Sequence, residues 1–191
     1  MFELETYLIA HWKISASESK VISSYFEIEK IKAGDHYWVA GQKSLKIGLV
    51  ADGILKTSVS TPADNDTAPF FTNKNHWVGN LAGFESQTSQ GLVICAITDC
   101  RVANLSFSAF QKLNQQHGFF KERWAFFKRH FNAISDHSFK YDHENLRHRY
   151  EDFIRHEPDL AIELSTEDIA AYLRMPHKKL LQILFEMVLF S

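Results

Sequence analysis

The sequence predicts an α+β protein: short N-terminal helices, an antiparallel β-sandwich or β-roll, one long helix, and a small all-α helix-turn-helix unit. Three observations predict it. Between Tyr25 and about Leu105 the chain reads as short alternating segments broken by turn dipeptides. From Phe120 to Ile134 apolar residues recur at helical steps instead. From Ser165 onward two short amphipathic segments flank a turn that ends in Met175-Pro176.

Taken in order, Leu4, Leu8 and Trp12 share one helical face, and a second short helix opens around Ser17-Glu18-Ser19-Lys20. The β region follows, with turns at Gly34-Asp35, Ala40-Gly41, Asp52-Gly53 and the polar stretch Thr61 to Asp66. Leu45, Ile47 and Leu49 alternate, as do Leu92, Ile94 and Ala96, the pattern of half-buried strands. After Leu105, Ser106 or Ser108 can cap a short helix carrying Phe110 and Leu113, and Gly118 leads into the long helix. There Phe120, Trp124, Phe127, Phe131 and Ile134 fall at steps of four, three, four and three, drawing one narrow apolar stripe. Such a stripe needs a partner, which is the chain's own β-roll, a partner helix, or both at once. Three more helical stretches are expected from His143 to the end, broken at Glu157-Pro158-Asp159, Leu164-Ser165-Thr166 and Met175-Pro176.

The 191 residues, 45% of them hydrophobic, can bury a real core. There is no run of 18 apolar residues and no basic, greasy leader at the N-terminus, so a soluble cytoplasmic protein with no membrane partner is expected. Cys95 and Cys100 are the only cysteines, too close in sequence to clamp distant segments, and are expected as reduced thiols in a strand pair. The net charge of -2 is unevenly spread. Residues 121–150 carry seven Lys or Arg against four Asp or Glu, whereas residues 151–191 carry four against eight. An acidic C-terminal region is a poor start for gripping phosphates.

Residues 165–186 read STEDIAAYLRMPHKKLLQILFE. Ser165 with Asp168 three places on makes a capping-box-like start, and Ile169, Ala170 and Leu173 form the inner face of a first helix. A second helix turns Leu180, Ile183 and Leu184 inward and His177, Lys178, Lys179 and Gln182 outward, the geometry of a helix-turn-helix whose second helix enters a major groove. A plain helical hairpin with a solvated outer face gives the same spacing.

A roll, a long helix and a terminal helix-turn-helix in that order resemble the plan of the CRP/FNR family of bacterial transcription regulators over nearly the whole chain. The stretch RYEDFIRHEPDLAIELSTEDIAAYLRMP resembles that family's entry into its DNA-binding domain. Trp77 to Leu105 resembles its phosphate-binding cassette without a gap: Gly79 and Leu81 at the short helical turn, Phe84 after it, and Ala96, Thr98, Cys100 and Val102 in the returning strand pair. The resemblance implies a cyclic nucleotide-binding-like sensor domain at 1–118 built on an antiparallel β-roll of the double-stranded β-helix or jelly-roll type, a dimerisation helix at 119–141 and a truncated helix-turn-helix DNA-binding domain lacking a full wing at 142–191. It also implies a homodimer on double-stranded DNA, with Phe120, Trp124, Phe127, Phe131 and Ile134 at the dimer interface.

In that family a cyclic nucleotide is held by amides at a helix N-terminus, a Glu on the ribose, and an Arg followed by Ser or Thr on the phosphate. Here the Glu position is Asn80, the Arg position Gln90 and the Ser or Thr position Gly91, and no Lys or Arg occurs between Asn75 and Cys100. Losing a charge-assisted phosphate contact costs on the order of 2–3 kcal/mol. The expected pocket, Gly79, Asn80, Leu81, Gln90 and Gly91, is therefore degenerate. A small-molecule effector there would be less charged than a cyclic nucleotide and hydrogen-bonded by Asn80 and Gln90, or side chains such as Trp77, Phe84 and Leu92 would fill the space. The resemblance puts Arg174, His177, Lys178, Lys179 and Gln182 against DNA, with Arg174 where the family has a turn Gly. The chain runs FEMVLFS to Ser191, so no β-hairpin wing is expected, and Met187 to Phe190 form a greasy tail unless they tuck onto the helices.

No cofactor or metal is expected. The ten histidines show no metal-ligand spacing, and two cysteines five apart cannot hold a cluster. No Gly-x-Ser-x-Gly elbow is present, and an enzyme is not expected. The competing expectation is a β-roll ligand-binding or protein-interaction module that does not bind an operator.

Overall fold

The computed structural model describes residues 4–59, 68–88, 91–135, 141 and 144–189. Two helices open the chain, α1 (Leu4–Trp12) and α2 (Ala16–Ser23). The cap of α2 is Ser15 rather than the expected Ser17 region: its hydroxyl accepts from Glu18 N, and the Glu18 carboxylate accepts from Ser15 N, a reciprocal capping box.

Eight strands follow: β1 (Phe26–Ile31), β2 (His36–Trp38), β3 (Lys46–Asp52), β4 (Leu55–Val59), β5 (Phe70–Thr72), β6 (Trp77–Val78), β7 (Leu92–Ala96) and β8 (Cys100–Ser106). They form two antiparallel four-stranded sheets, ordered β1-β8-β3-β6 and β2-β7-β4-β5. Alternation decides what each face does. Val50 and Val102 point between the sheets, where they meet Tyr37, Trp38, Leu55 and Ile94. Ile47, Leu49 and Leu105 point away from the roll and meet the helices. Leu45 departs from the expected alternation: it precedes β3 and is exposed.

One buried polar contact crosses the roll. The Tyr37 hydroxyl donates to Asn104 Oδ1 at 2.7 Å, and Asn104 in turn donates to the Glu29 carboxylate, which also takes Lys46. Burial pushes the Tyr37 phenol well above its ordinary pKa, so it stays a neutral donor. Gly48 makes room for this contact. A Cβ there would sit 2.3 Å from Val102 Cγ1 and 2.8 Å from the Tyr37 oxygen. Cys95 and Cys100 are free thiols on β7 and β8; burial raises the pKa of Cys100, whose thiol donates to the carbonyls of Thr98 and Ile54.

Between the strands lies α3 (Leu81–Ser86), and after them α4 (Phe107–Gln116), capped by Ser106, and α5 (Phe120–Ser135). Four helices complete the described chain, not three: α6 (Leu146–His156), α7 (Pro158–Glu163), α8 (Thr166–Tyr172) and α9 (His177–Leu189). The expected breaks at Glu157-Pro158-Asp159, Leu164-Ser165-Thr166 and Met175-Pro176 separate these four helices, and Pro158 is the first residue of α7, where a missing N–H costs nothing.

The C-terminal helices form their own core around Phe153, Leu160, Ile169, Leu173, Leu180 and Ile183, into which the roll inserts Ile54 and Phe71. Phe71 meets the edge of Tyr172 with ring centroids 5.5 Å apart, and Lys56 on β4 pairs with Asp168 on α8. The helix-turn-helix is thus docked on the roll by apolar contact plus one half-buried ion pair.

Candidate functional site: a closed roll and an amphipathic terminal helix

The turn Gly79-Asn80 leads from β6 into α3. Gly79 adopts φ +123°, a conformation L side chains rarely hold, and so suits the tight turn into α3. Asn80 is the N-cap of α3. Its Oδ1 accepts from Gly83 N at 2.6 Å, its carbonyl accepts from Phe84 N at 2.8 Å, and Ser44 Oγ donates to the same carbonyl at 3.2 Å. The polar groups of Asn80 are therefore engaged in capping the helix. Leu81 is buried in the core shared with α5 and anchors α3 there rather than facing a ligand. Gly91 immediately precedes β7, and Gln90 lies outside the described residues.

The space inside the roll at this point is about 10 Å³, bounded by Trp38, Ser44, Asn80, Thr88, Leu92 and Ile94. That is roughly the room of one water, whereas ligand pockets are usually about 300–1,000 Å³. Leu92 helps fill the space, as expected. Trp77 and Phe84 do not: both turn outward into the core under the helices. The main filler is Trp38 on β2, buried among Val50, Val78 and Ile94. Sequence reading missed it because a Trp on a three-residue strand carries no sign of which sheet face it lines.

The stripe on α5 also turns inward. Phe120, Trp124, Phe127 and Phe131 are all at most 5% exposed and pack with Leu8, Trp12, Ile47, Leu49 and Trp77. Phe127 stacks on Trp12 at 4.7 Å and meets Trp77 at 4.6 Å, and the Trp124 indole N–H donates to the Glu85 carboxylate at 2.8 Å. The dimer interface assigned to these four residues is corrected: they belong to the chain's own core, because α1 and the outer face of β3 supply the partner surface the stripe requires. The Ile134 side chain lies outside the described residues.

In the helix-turn-helix, Ser165 caps α8 by accepting from Asp168 N at 3.1 Å. The turn closes in a Schellman arrangement, Met175 N donating to Ala170 O and Arg174 N to Ala171 O. Arg174 holds φ +50° at the position that usually goes to Gly. Arg149 from α6 donates to the carbonyl of Leu173 at 2.9 Å and braces the same turn.

On α9, Lys178, Lys179 and Gln182 are exposed as expected, with Lys179 donating to Gln182 and Gln182 to Glu186. His177 is different. It is half-buried, 2.9 Å from Thr166 Oγ1 across the turn, so it ties α9 to α8 instead of standing clear for DNA. Met187 packs on the C-terminal core, but Leu181 (46% exposed), Phe185 (65%), Val188 and Leu189 (60%) do not. Half of the outer face of α9 is therefore apolar.

Among the described residues no group of three or more His, Cys, Asp or Glu is placed to hold a metal, and no helix is long and apolar enough to cross a membrane. Neither a protein-family model nor a curated protein matches the sequence. Solved structures do match in shape. A cyclic nucleotide-binding protein from Ruegeria pomeroyi aligns with a TM-score of 0.66 at 16% identity, over 96% of this chain and 86% of that one. FixK2 from Bradyrhizobium japonicum aligns with a TM-score of 0.63 at 16% identity, over 85% and 84% of the two chains. The Thermus thermophilus catabolite activator protein aligns at 0.55 and 13% identity, over 95% and 86%. From roll to terminal helices, the chain has the fold of the cyclic nucleotide-binding, CRP/FNR-type regulators.

Proposed function

We propose that this protein is a CRP/FNR-like DNA-binding transcriptional regulator that does not respond to a cyclic nucleotide. The observation that carries the reading is the closed roll: the space beside Asn80 holds about one water, and the Asn80 side chain is used as a helix cap. A roll with so little room at that position, among the described residues, serves as a fixed platform for the helix-turn-helix docked on it. On the DNA side, Arg174, Lys178 and Lys179 lie together at the turn and the first turn of α9, where a recognition helix meets phosphates and base edges. Three basic groups per protomer predict modest affinity and a log–log salt slope of roughly -3 per protomer.

Fluorescence anisotropy with a labelled mixed-sequence duplex tests this. Binding at low salt that weakens with that slope, and is unchanged by millimolar cyclic AMP or cyclic GMP, is the expected result. Absence of binding at low salt overturns the DNA reading, and micromolar nucleotide binding by calorimetry overturns the closed-roll reading. The apolar outer half of α9 favours a second reading, a protein-interaction module that grips no operator. It predicts no duplex binding at any salt.

A further inference from the structure

We propose that the cleft between the roll and α7 binds a small amphipathic zwitterion, an amino acid with an aliphatic side chain, its ammonium group against α7 and its carboxylate against the roll. The cleft offers about 430 Å³, within the roughly 300–1,000 Å³ of ligand pockets and far more than the space of about 10 Å³ inside the roll. Its two walls are separate pieces of structure. The turns β3–β4, β5–β6 and β7–β8 supply Asp52, Ile54, Lys74 and Asp99, and α7 supplies Asp159, Ile162 and Glu163. The roll wall is preset: Ile54 N donates to Thr98 Oγ1 at 2.9 Å and Ile97 N to Ile54 O at 2.8 Å, which ties two of these turns together.

Charge selects the ligand. On the roll wall both carboxylates are already matched, Asp99 by Lys32 at 2.6 Å and Asp52 by Arg101 at 3.4 Å. The Lys74 ammonium is left as the unbalanced charge of that wall. On α7, Asp159 and Glu163 stand at i and i+4, and neither meets a cation among the described residues. Like charges at this spacing repel, and Glu163 ends the helix, where the dipole disfavours a carboxylate. The two walls therefore carry opposite charge around one cavity, yet Lys74 forms no ion pair with Asp159 or Glu163. A simple ion satisfies one wall; a zwitterion satisfies both. The apolar part of the ligand has a place as well. Ile162 is 80% exposed and Ile54 4%, and an aliphatic side chain laid against them takes apolar surface out of water. Lys74, Asp159 and Glu163 are all exposed, so each ion pair contributes little, and the dissociation constant is on the order of 1 mM. A molecule held here touches both the roll and the C-terminal helices and tightens their docking. The inference stands independently of DNA binding and of the closed roll.

Thermal unfolding of the full chain, followed by circular dichroism at constant ionic strength with about 10 mM L-leucine, L-isoleucine or L-valine, is the test. The midpoint is expected to rise by about 3–5 °C with at least one of them. Glycine, which lacks the side chain, is expected to leave it unchanged. Isoamylamine lacks the carboxylate and 4-methylvalerate the ammonium, and each is expected to give less than about a third of the rise. Lys74→Gln, and Asp159→Asn with Glu163→Gln, each cut the rise at least threefold; these side chains are exposed, so the midpoint without ligand does not fall. No rise with any of the three amino acids overturns the proposal. So does a rise that isoamylamine matches, or one that persists in either variant. Amide chemical shifts during a leucine titration of the unaltered chain locate the site, and decide if a variant fails to fold: changes centred on Gly53, Lys74 and Ile162 are expected, and changes centred elsewhere overturn the assignment.

Discussion

Replacing Trp124 by Ala separates an inward α5 stripe from a subunit seam. Trp124 is 5% exposed, sits within 5.0 Å of Phe127 and 4.6 Å of Phe110 by ring centroids, and donates to Glu85, which also pairs with Lys128. Truncating a buried Trp costs about 3–5 kcal/mol, and loss of the hydrogen bond to a carboxylate adds about 1 kcal/mol because Glu85 can turn to solvent and Lys128. A domain of this size is stable by about 5–15 kcal/mol, so the variant loses a large fraction of its stability. At roughly 2–4 °C per kcal/mol, its melting temperature falls by about 8–24 °C. The assay is urea and thermal unfolding followed by circular dichroism, with light scattering on the same samples. An inward stripe gives the large loss at every protein concentration. A variant that keeps its unfolding midpoint but dissociates from dimer to monomer would refute the reasoning.

The other expectations are these. Arg174→Gly relieves a left-handed residue at the end of α8 and should raise stability by about 0.5–1 kcal/mol, the steric gain exceeding the glycine entropy cost; an unchanged or lower midpoint in denaturant counts against the strain. Gly48→Ala drives a methyl into Val102, Asn104 and Tyr37 and should cost about 3 kcal/mol, the upper end for an overpacked core, which urea titration reads directly. Alkaline stability follows from the tyrosines. Burial raises the Tyr172 pKa to about 12 and pushes those of Tyr37, Tyr141 and Tyr150 upward, so the folded state holds protons that the unfolded state releases above pH 10. Stability from these groups is fully present below pH 10 and is lost as pH rises through about 10 to 12. Tyrosinate absorbance should rise in step with unfolding, and free titration of all the tyrosines at pH 10 in the native state would contradict it.

The roll was legible in the sequence because its signals are local. Turn dipeptides such as Asp52-Gly53 and the alternation of Ile47 with Leu49 belong to neighbouring residues, as do the Ser165 cap and the Pro176 break in the terminal hairpin. The absence of charge at Asn80 and Gly91 was equally visible, since these residues are uncharged whatever surrounds them. The break at Glu157-Pro158-Asp159 was legible for the same reason, since a proline that cannot continue α6 begins α7.

What the sequence alone determined is which faces are apolar and which positions lack charge, because periodicity and residue chemistry travel with the chain. Only the tertiary structure decided where those faces go. A stripe such as Phe120 to Phe131 is satisfied equally by an intramolecular or an intermolecular surface, and Trp12, Trp77 and Leu49 reach it from distant parts of the sequence. Trp38 closing the roll and Leu181 to Leu189 left facing solvent are decisions of the same kind, set by how sheets and helices pack rather than by anything within a window of neighbours.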